Sequence, residues 1–455
     1  MSQEPLSELR ELLYGDPSPE RWEALCQVIE ALDEAMVDVA FGYAAEHLKT
    51  WPNVLRCGLL SEAPYKRWWP LVRHARVKDV DALAPCLPWL SDVVELDLTW
   101  RDAGTKAAKT LASSEYLSNL THLYLSCNKI GSQGAKALAR SEHLSNLVCL
   151  KFNRNKIGSK GVQALAGSEH LSNLTRFDVD RNKVGHEGAM ALAGSKHLTR
   201  LTTLDVSWNE LGTKGVTALV ASECLSNLTT LNLASNLILL EDVQALVALE
   251  RWGSFTELDL SWNSMEGDSV EVLAKSEHLS RLTDLNLTWT KMGDRGARAL
   301  AESEHLGNLT RLSLVANEIK NEGVQALARS EHLKGLTHLD LAANRMDSEG
   351  AGALARARHL GNLTALRLCG NKIGDEGVKA LARSGDLGNL TSLELSTCKI
   401  SNEGAKALAN SEFLRHLNHL DLSDNEIDIE GARALQQSEC LRNLTTLDLS
   451  KNIGL

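Results

Sequence analysis

Leu123-Tyr124-Leu125-Ser126-Cys127-Asn128-Lys129-Ile130-Gly131, followed by Gly134-Ala135-Lys136-Ala137-Leu138-Ala139, is the stretch that decides the fold. Moving 27 residues on, the chain reads Leu150-x-Phe152-x-x-Asn155-Lys156-Ile157-Gly158 and then Gly161-Val162-Gln163-Ala164-Leu165-Ala166. The same core begins at 96, 123, 150, 177, 204, 231, 258, 285, 312, 339, 366, 393, 420 and 447, fourteen copies with no insertion or deletion. A fixed period of this size marks a solenoid, in which each unit packs on its neighbours and the core grows along one axis. That is how 455 residues escape the usual division into several globular domains.

Each copy reads as a strand, a turn and a helix. Leu123 and Leu125, two residues apart, share the inward face of a short strand. Asn128 then enters the turn, where its amide satisfies backbone groups of adjacent loops, so that asparagines stack as a ladder from Asn128 to Asn452. The ladder departs at Arg101, Thr290 and Cys398, and Thr290 is expected to weaken it locally. Gly134 and its equivalents are expected to open the helix, with Leu138 directed inward and small alanines allowing close approach. Parallel strands lie about 4.8 Å apart, whereas packed helices prefer about 8–10 Å. The mismatch predicts a horseshoe with strands on the concave face and helices on the convex face.

This pattern resembles the leucine-rich repeat, Leu-x-x-Leu-x-Leu-x-x-Asn/Cys-x-Leu, in which Cys398 is an accepted alternate to asparagine and needs no redox role. The Gly-Ala-x-Ala-Leu-Ala frame is similar to the ribonuclease-inhibitor-like repeats, in particular their GALA-type bacterial subset, over residues 93–455. The resemblance implies a protein-recognition scaffold. The class includes enzyme inhibitors, GTPase-activating proteins, immune-receptor sensor domains and secreted bacterial effectors.

All eight prolines precede residue 89, and proline is excluded from strand ladders and helix interiors. The shift separates residues 1–90, an N-terminal helical cap or adaptor domain, from the repeat domain, 91–455. Ser18-Pro19 starts one helix, whose Trp22, Leu25, Ile29 and Leu32 form an apolar face. A second is expected over 34–48, and others near 54–61 and 65–76. Trp51, Trp68, Trp69 and Trp89 are expected in the core of this cap. The stretch lacks a convincing F-box-like pattern.

The net charge of −11 argues against a nucleic-acid scaffold and suits a basic protein partner. Nine cysteines without paired spacing point to reduced thiols, and the N-terminus shows no signal-peptide pattern, so a cytoplasmic location is expected. Translocation into a host cell would accompany an effector role. No apolar run is long enough to span a bilayer. Asn-Leu-Thr recurs at Asn119, Asn173, Asn227, Asn308, Asn362, Asn389 and Asn443, where it reads as the lead-in to each strand rather than as a glycosylation site. The chain ends part way through a repeat at Leu455, which predicts an uncapped strand edge open to pairing with a second copy.

The repeat leaves certain columns free. Seven histidines, among them His143, His170 and His197, stand one repeat apart in a row, a geometry unlike the converging ligands of a metal site. No P-loop, His-Glu-x-x-His, nucleophile elbow or dinucleotide fingerprint occurs, so neither catalysis nor a cofactor is expected. Between the two strand leucines lie Asp97, Tyr124, Lys151, Asp178, Asp205, Asn232, Asp259, Asn286, Ser313, Asp340, Arg367, Glu394, Asp421 and Asp448. Eight of these are acidic and two basic, and like-charged neighbours such as Asp178 and Asp205 repel, which points to an acidic binding surface. Just before the ladder position stand Trp100, Trp208, Trp262 and Trp289, in a column that elsewhere accepts small and polar residues. Repeats 236–290 depart most from the pattern, with Leu239 and Glu266 at the first glycine, Asp242 and Ser269 at the second, and Trp252 and Phe255 at leucine positions. The expected partner-binding residues are therefore Asp97, Trp100, Tyr124, Asp178, Asp205, Trp208, Asp259, Trp262, Asn286 and Trp289. The expected function is a non-enzymatic interaction scaffold. An inhibitor of a basic enzyme and a regulatory adaptor (for a ubiquitin ligase, or a GTPase-activating protein) are the alternatives.

Overall fold

The computed structural model describes residues 4–454. The chain forms two compact units, one of residues 1–209 with 222–227 and the other of residues 210–221 with 228–455.

In the first unit, three helices come first: α1 (Glu4–Tyr14), α2 (Pro19–Glu30) and α3 (Glu34–His47). The Ser18 hydroxyl caps α2 by accepting the Arg21 N–H at 3.2 Å, and Pro19 fills the first helical position. Beyond α3 the expectation of further helices fails. Residues 54–61 and 65–76 form short 3-10 turns and two strands, β1 (Cys57–Leu59) and β2 (His74–Arg76). Gly58 explains part of this, since a Cβ there would lie 2.6 Å from the Trp69 ring. Trp51, Trp68 and Trp69 are buried as expected, with the Trp22 indole donating to the Cys57 carbonyl at 2.9 Å. Trp89 is not; it is 42% exposed and contributes its carbonyl to the Trp69 indole at 2.7 Å.

Strands β3 (Glu95–Asp97), β4 (His122–Tyr124), β5 (Cys149–Lys151), β6 (Arg176–Asp178) and β7 (Thr203–Asp205) continue the sheet in parallel. The sheet thus starts two strands before the first regular repeat. In the second unit β8 (Thr230–Asn232), β9 (Glu257–Asp259), β10 (Asp284–Asn286), β11 (Arg311–Ser313), β12 (His338–Asp340), β13 (Ala365–Arg367), β14 (Ser392–Glu394), β15 (His419–Asp421) and β16 (Thr446–Asp448) pair likewise. The register is one repeat per strand, with Leu96 opposite Leu123 and Leu285 opposite Leu312. This is a solenoid of alternating strand and helix, with the strand leucines from Leu96 to Leu420 buried between the two layers and Leu447 of the last strand half-buried.

Three side-chain ladders hold successive repeats together. Asn155 Oδ1 accepts the Asn128 and Ile130 N–H groups, while its Nδ2 donates to the Leu125 and Phe152 carbonyls at 2.7 and 3.0 Å. Cys398 takes this place with its thiol on the Leu368 carbonyl at 3.3 Å. Thr290 keeps the forward bond to Asn317 Oδ1, but beside it the Met265 N–H turns to the Asn263 carbonyl at 2.8 Å. The asparagines of Asn-Leu-Thr make a second ladder: Asn119 donates to the Ser91 carbonyl and Asn173 to that of Ser145. Serines on the helix side make a third, as in Ser168 to the Ala139 carbonyl.

The first glycine of the repeat, not the second, opens the helix. The helix runs Gly131–Ala139, so Gly131, in the left-handed region at φ +68, opens it. Gly134 sits buried inside it, where a Cβ would fall 2.3 Å from Ile130 Cγ2 and 3.0 Å from Ala108 Cβ. Close helix approach, and not a turn, demands glycine there.

Candidate protein-interaction surface

Every Asp and Asn in the column between the strand leucines uses a side-chain oxygen to accept the backbone N–H two residues on. The distances are 2.8 Å for Asp97, 3.1 Å for Asp178, 2.9 Å for Asp205, 2.9 Å for Asp259 and 3.0 Å for Asn286, and Asn232, Asp340, Asp421 and Asp448 do the same. This short side-chain-to-backbone loop is the Asx turn, and it satisfies an N–H leaving the strand. Folding therefore does select Asp or Asn in this column, contrary to the repulsion argument made from sequence alone.

In the first unit Asp97, Trp100, Tyr124, Asp178, Asp205 and Trp208 line one bowl on the strand face, together with Lys151, Arg154 and Arg181. The arrangement is charge-rich and internally paired. The Arg181 guanidinium lies 4.4 Å from the Trp208 ring centre and the Lys151 ammonium 5.6 Å from that of Tyr124, both cation–π distances. Asp180, which sequence reasoning missed, joins Asp178 and Asp205. The Ser207 hydroxyl lies 2.6 Å from Asp205 Oδ1 and 3.2 Å from Asp180 Oδ1. Burial, then the Asp205 charge, push Asp178 up to about 7 and Asp180 up to about 6. The signal for Asp180 was present: its equivalents Thr99, Ser126, Asn153 and Ser207 are uncharged. Deeper in, His74 Nδ1 lies 3.0 Å from Glu95, and that bond holds the Glu95 carboxyl below its usual range.

In the second unit Asp259 and Asn286 line another bowl with Asp284, Arg311, Asp340 and Arg367. Much of its acidity is cancelled. Asn286 Nδ2 donates to Asp259 Oδ2 at 3.0 Å, Arg311 pairs with Asp284 at 3.1 Å, and Arg367 bridges Asp340 and Glu394 at 3.2 and 2.8 Å. Trp262 and Trp289 do not line this bowl; they stand at the rim, stacked face to face with ring centres 4.7 Å apart and planes 8° apart. Cys369, Glu394 and Asp421 offer ligand atoms within 4.8 Å of one another, but Arg367 already holds Glu394 and burial pushes the Cys369 thiol up.

The four column tryptophans share one backbone state. Trp100, Trp208, Trp262 and Trp289 have φ of 59°, 56°, 57° and 57°. They are 68%, 38%, 45% and 48% exposed. The rest of the column is left-handed too, including Arg154, Arg181 and Gly370, so the turn itself imposes the conformation.

Residues 116–139, 143–166, 170–193, 197–220, 254–274, 278–301, 305–328, 332–355, 359–382, 389–409 and 413–435 match the family described as Leucine Rich repeat, and the chain belongs to that family. Proteins of this family generally serve as protein-interaction scaffolds. Among solved structures the chain is similar to an internalin from Listeria monocytogenes, at 22% identity and a TM-score of 0.47, covering 74% of this chain and 82% of that one. No curated protein compared with it matches. Among the described residues, no helix is long and apolar enough to cross a membrane.

Proposed function

We propose that this chain is a non-enzymatic scaffold that grips a protein partner on its strand face and the adjoining tryptophan rim. The observation that carries this reading is the exposure of the rim, where Trp100, Trp208, Trp262 and Trp289 stand in a column that elsewhere accepts small and polar residues. A left-handed residue other than glycine costs roughly 1–2 kcal/mol, and the same turn at Gly370 shows the unstrained solution. Four of ten tryptophans stand there, exposed, although the turn accepts Ser235, Ala316 and Gly370 equally well. Exposed tryptophan beside charge is what interfaces use as an anchor.

The Asp column supports the reading less than its charge suggests, because one oxygen of each carboxylate already serves the fold. The bowl around Asp97, Tyr124, Asp178 and Asp205 keeps a mixed charge pattern suited to polar contacts around a buried anchor. A ribonuclease-inhibitor-like kinship fits the strand-helix alternation, and residues 1–90 would close the end of the repeat stack as a cap.

Affinity capture tests the reading, comparing the full chain with the double variant Trp262→Gly, Trp289→Gly. Glycine relieves the left-handed strain, so the melting temperature should hold or rise while captured partner is lost. Equal capture by both proteins would sink the proposal.

A further inference from the structure

The least regular repeats expose more than tryptophan. Leu237 is 65% exposed and left-handed at φ 63, at a position where all other repeats but those of Ser264 and Ile453 carry a charge, as in Lys183, Glu210, Lys291 and Glu318. Leu239 is 55% exposed where Gly212 stands one repeat before it and Gly293 two repeats after. Those glycines have φ of +59° and +57°, whereas Leu239 is extended at φ −116. Asp242 makes the change affordable: its Oδ2 accepts the Leu239 N–H at 2.7 Å and replaces the capping the turn would otherwise lack. At the same extended position Asp347, Ser401 and Asp428 use their own side chains to cap the helix. The loop has been rebuilt around Asp242, and its result is two leucines turned to solvent.

The parallel register of β8, β9 and β10 sets these loops side by side, Leu231 opposite Leu258 and Leu258 opposite Leu285. Leu237, Leu239 and the stacked pair Trp262–Trp289 therefore come from three consecutive repeats along one edge of the second unit. Two exposed leucines and a stacked tryptophan pair on three consecutive repeats of an otherwise charged rim mark a contact surface. Its flanks are acidic: Glu241 and Glu266 are exposed and carry no ion pair among the described residues, while Lys291 is the neighbouring cation. Asp268 is already paired with Arg295.

We infer that this edge seats a segment of the partner protein that presents apolar side chains flanked by lysine or arginine. The inference rests on the scaffold reading above and narrows it to one edge and one partner chemistry. Recognition there combines burial of the four side chains with attraction to Glu241 and Glu266, so it weakens with salt.

The test is a display library of short random peptides selected on the full-length chain, followed by binding of the selected peptides to Leu237→Lys, Leu239→Gly. Both substitutions restore residues that the repeat itself uses, at Lys183 and Gly212, so folding is preserved and the melting temperature checks it. The expected result is peptides rich in apolar and basic residues whose affinity falls about tenfold or more in the variant, as loss of an anchor cluster requires. Peptides bound equally by wild type and variant, or lacking basic residues, overturn this inference while leaving the scaffold reading intact. Failure to enrich any peptide over an unrelated immobilised protein counts against the scaffold reading itself.

Discussion

Replacing Asp178 by Asn is expected to stabilise the protein at pH 8 and to flatten its pH dependence. Asp178 ends β6 opposite Asp205 at the end of β7, and Asp180 lies two residues further on. Burial and the Asp205 charge raise the Asp178 carboxyl from 3.8 to about 7, with Lys151 opposing. A raised acid binds its proton more tightly in the folded chain than in the unfolded one. Its stabilising effect is therefore complete below about pH 4 and is lost as pH rises through about 7. The shift of about three units corresponds to a ceiling of about 4 kcal/mol at 1.36 kcal/mol per unit. Asp178 keeps some contact with solvent, and screening trims this to roughly 1–2 kcal/mol. The turn survives the substitution, because Asn232 and Asn286 make the same bond in the same column at 3.0 Å. Thermal melts of wild type and variant at pH 4.5, 6 and 8 decide the matter. The variant should melt a few degrees higher at pH 8 and converge with wild type toward pH 4.5. A lower melting point at pH 8, or parallel curves at all three values, would refute the argument that the cluster is held against its own charge.

Other substitutions probe the frame. Gly134→Ala should cost about 1–3 kcal/mol by overpacking, since its Cβ meets Ile130 and Ala108, and denaturant titration will read it. Asn155→Ala removes partners from two buried N–H groups and two carbonyls and should cost at least about 3 kcal/mol, with Asn155→Cys milder because Cys398 fills that role. Cys398, whose thiol burial pushes up to about 12, should resist alkylation at pH 8 in the native protein and react only on unfolding, as mass spectrometry can show.

The periodic frame was legible because its physical demands repeat every 27 residues. Leucine at the strand centre and asparagine in the turn each answer one local geometry, so one reading serves nearly every copy. The Gly131 position instead alternates between left-handed glycine and an extended cap such as Asp347, Ser401 or Asp428. The two strands at Cys57–Leu59 and His74–Arg76 were hidden because they lie 17 residues apart and lack the leucine pair. The role of the Asp column was hidden for a different reason. Its meaning depends on where one carboxylate oxygen points, and composition reports only charge.

The tryptophan column divides in the same way. Sequence alone determined that Trp100, Trp208, Trp262 and Trp289 occupy equivalent positions, because register follows from the repeat. Only the tertiary structure decided that all four are left-handed, that Arg181 lies over Trp208, and that Trp262 and Trp289 stack at the spacing of paired strands. Equivalence along a chain is set by period. Contact between residues 27 apart is set by how neighbouring turns orient their side chains, and that exists only once the repeats have packed.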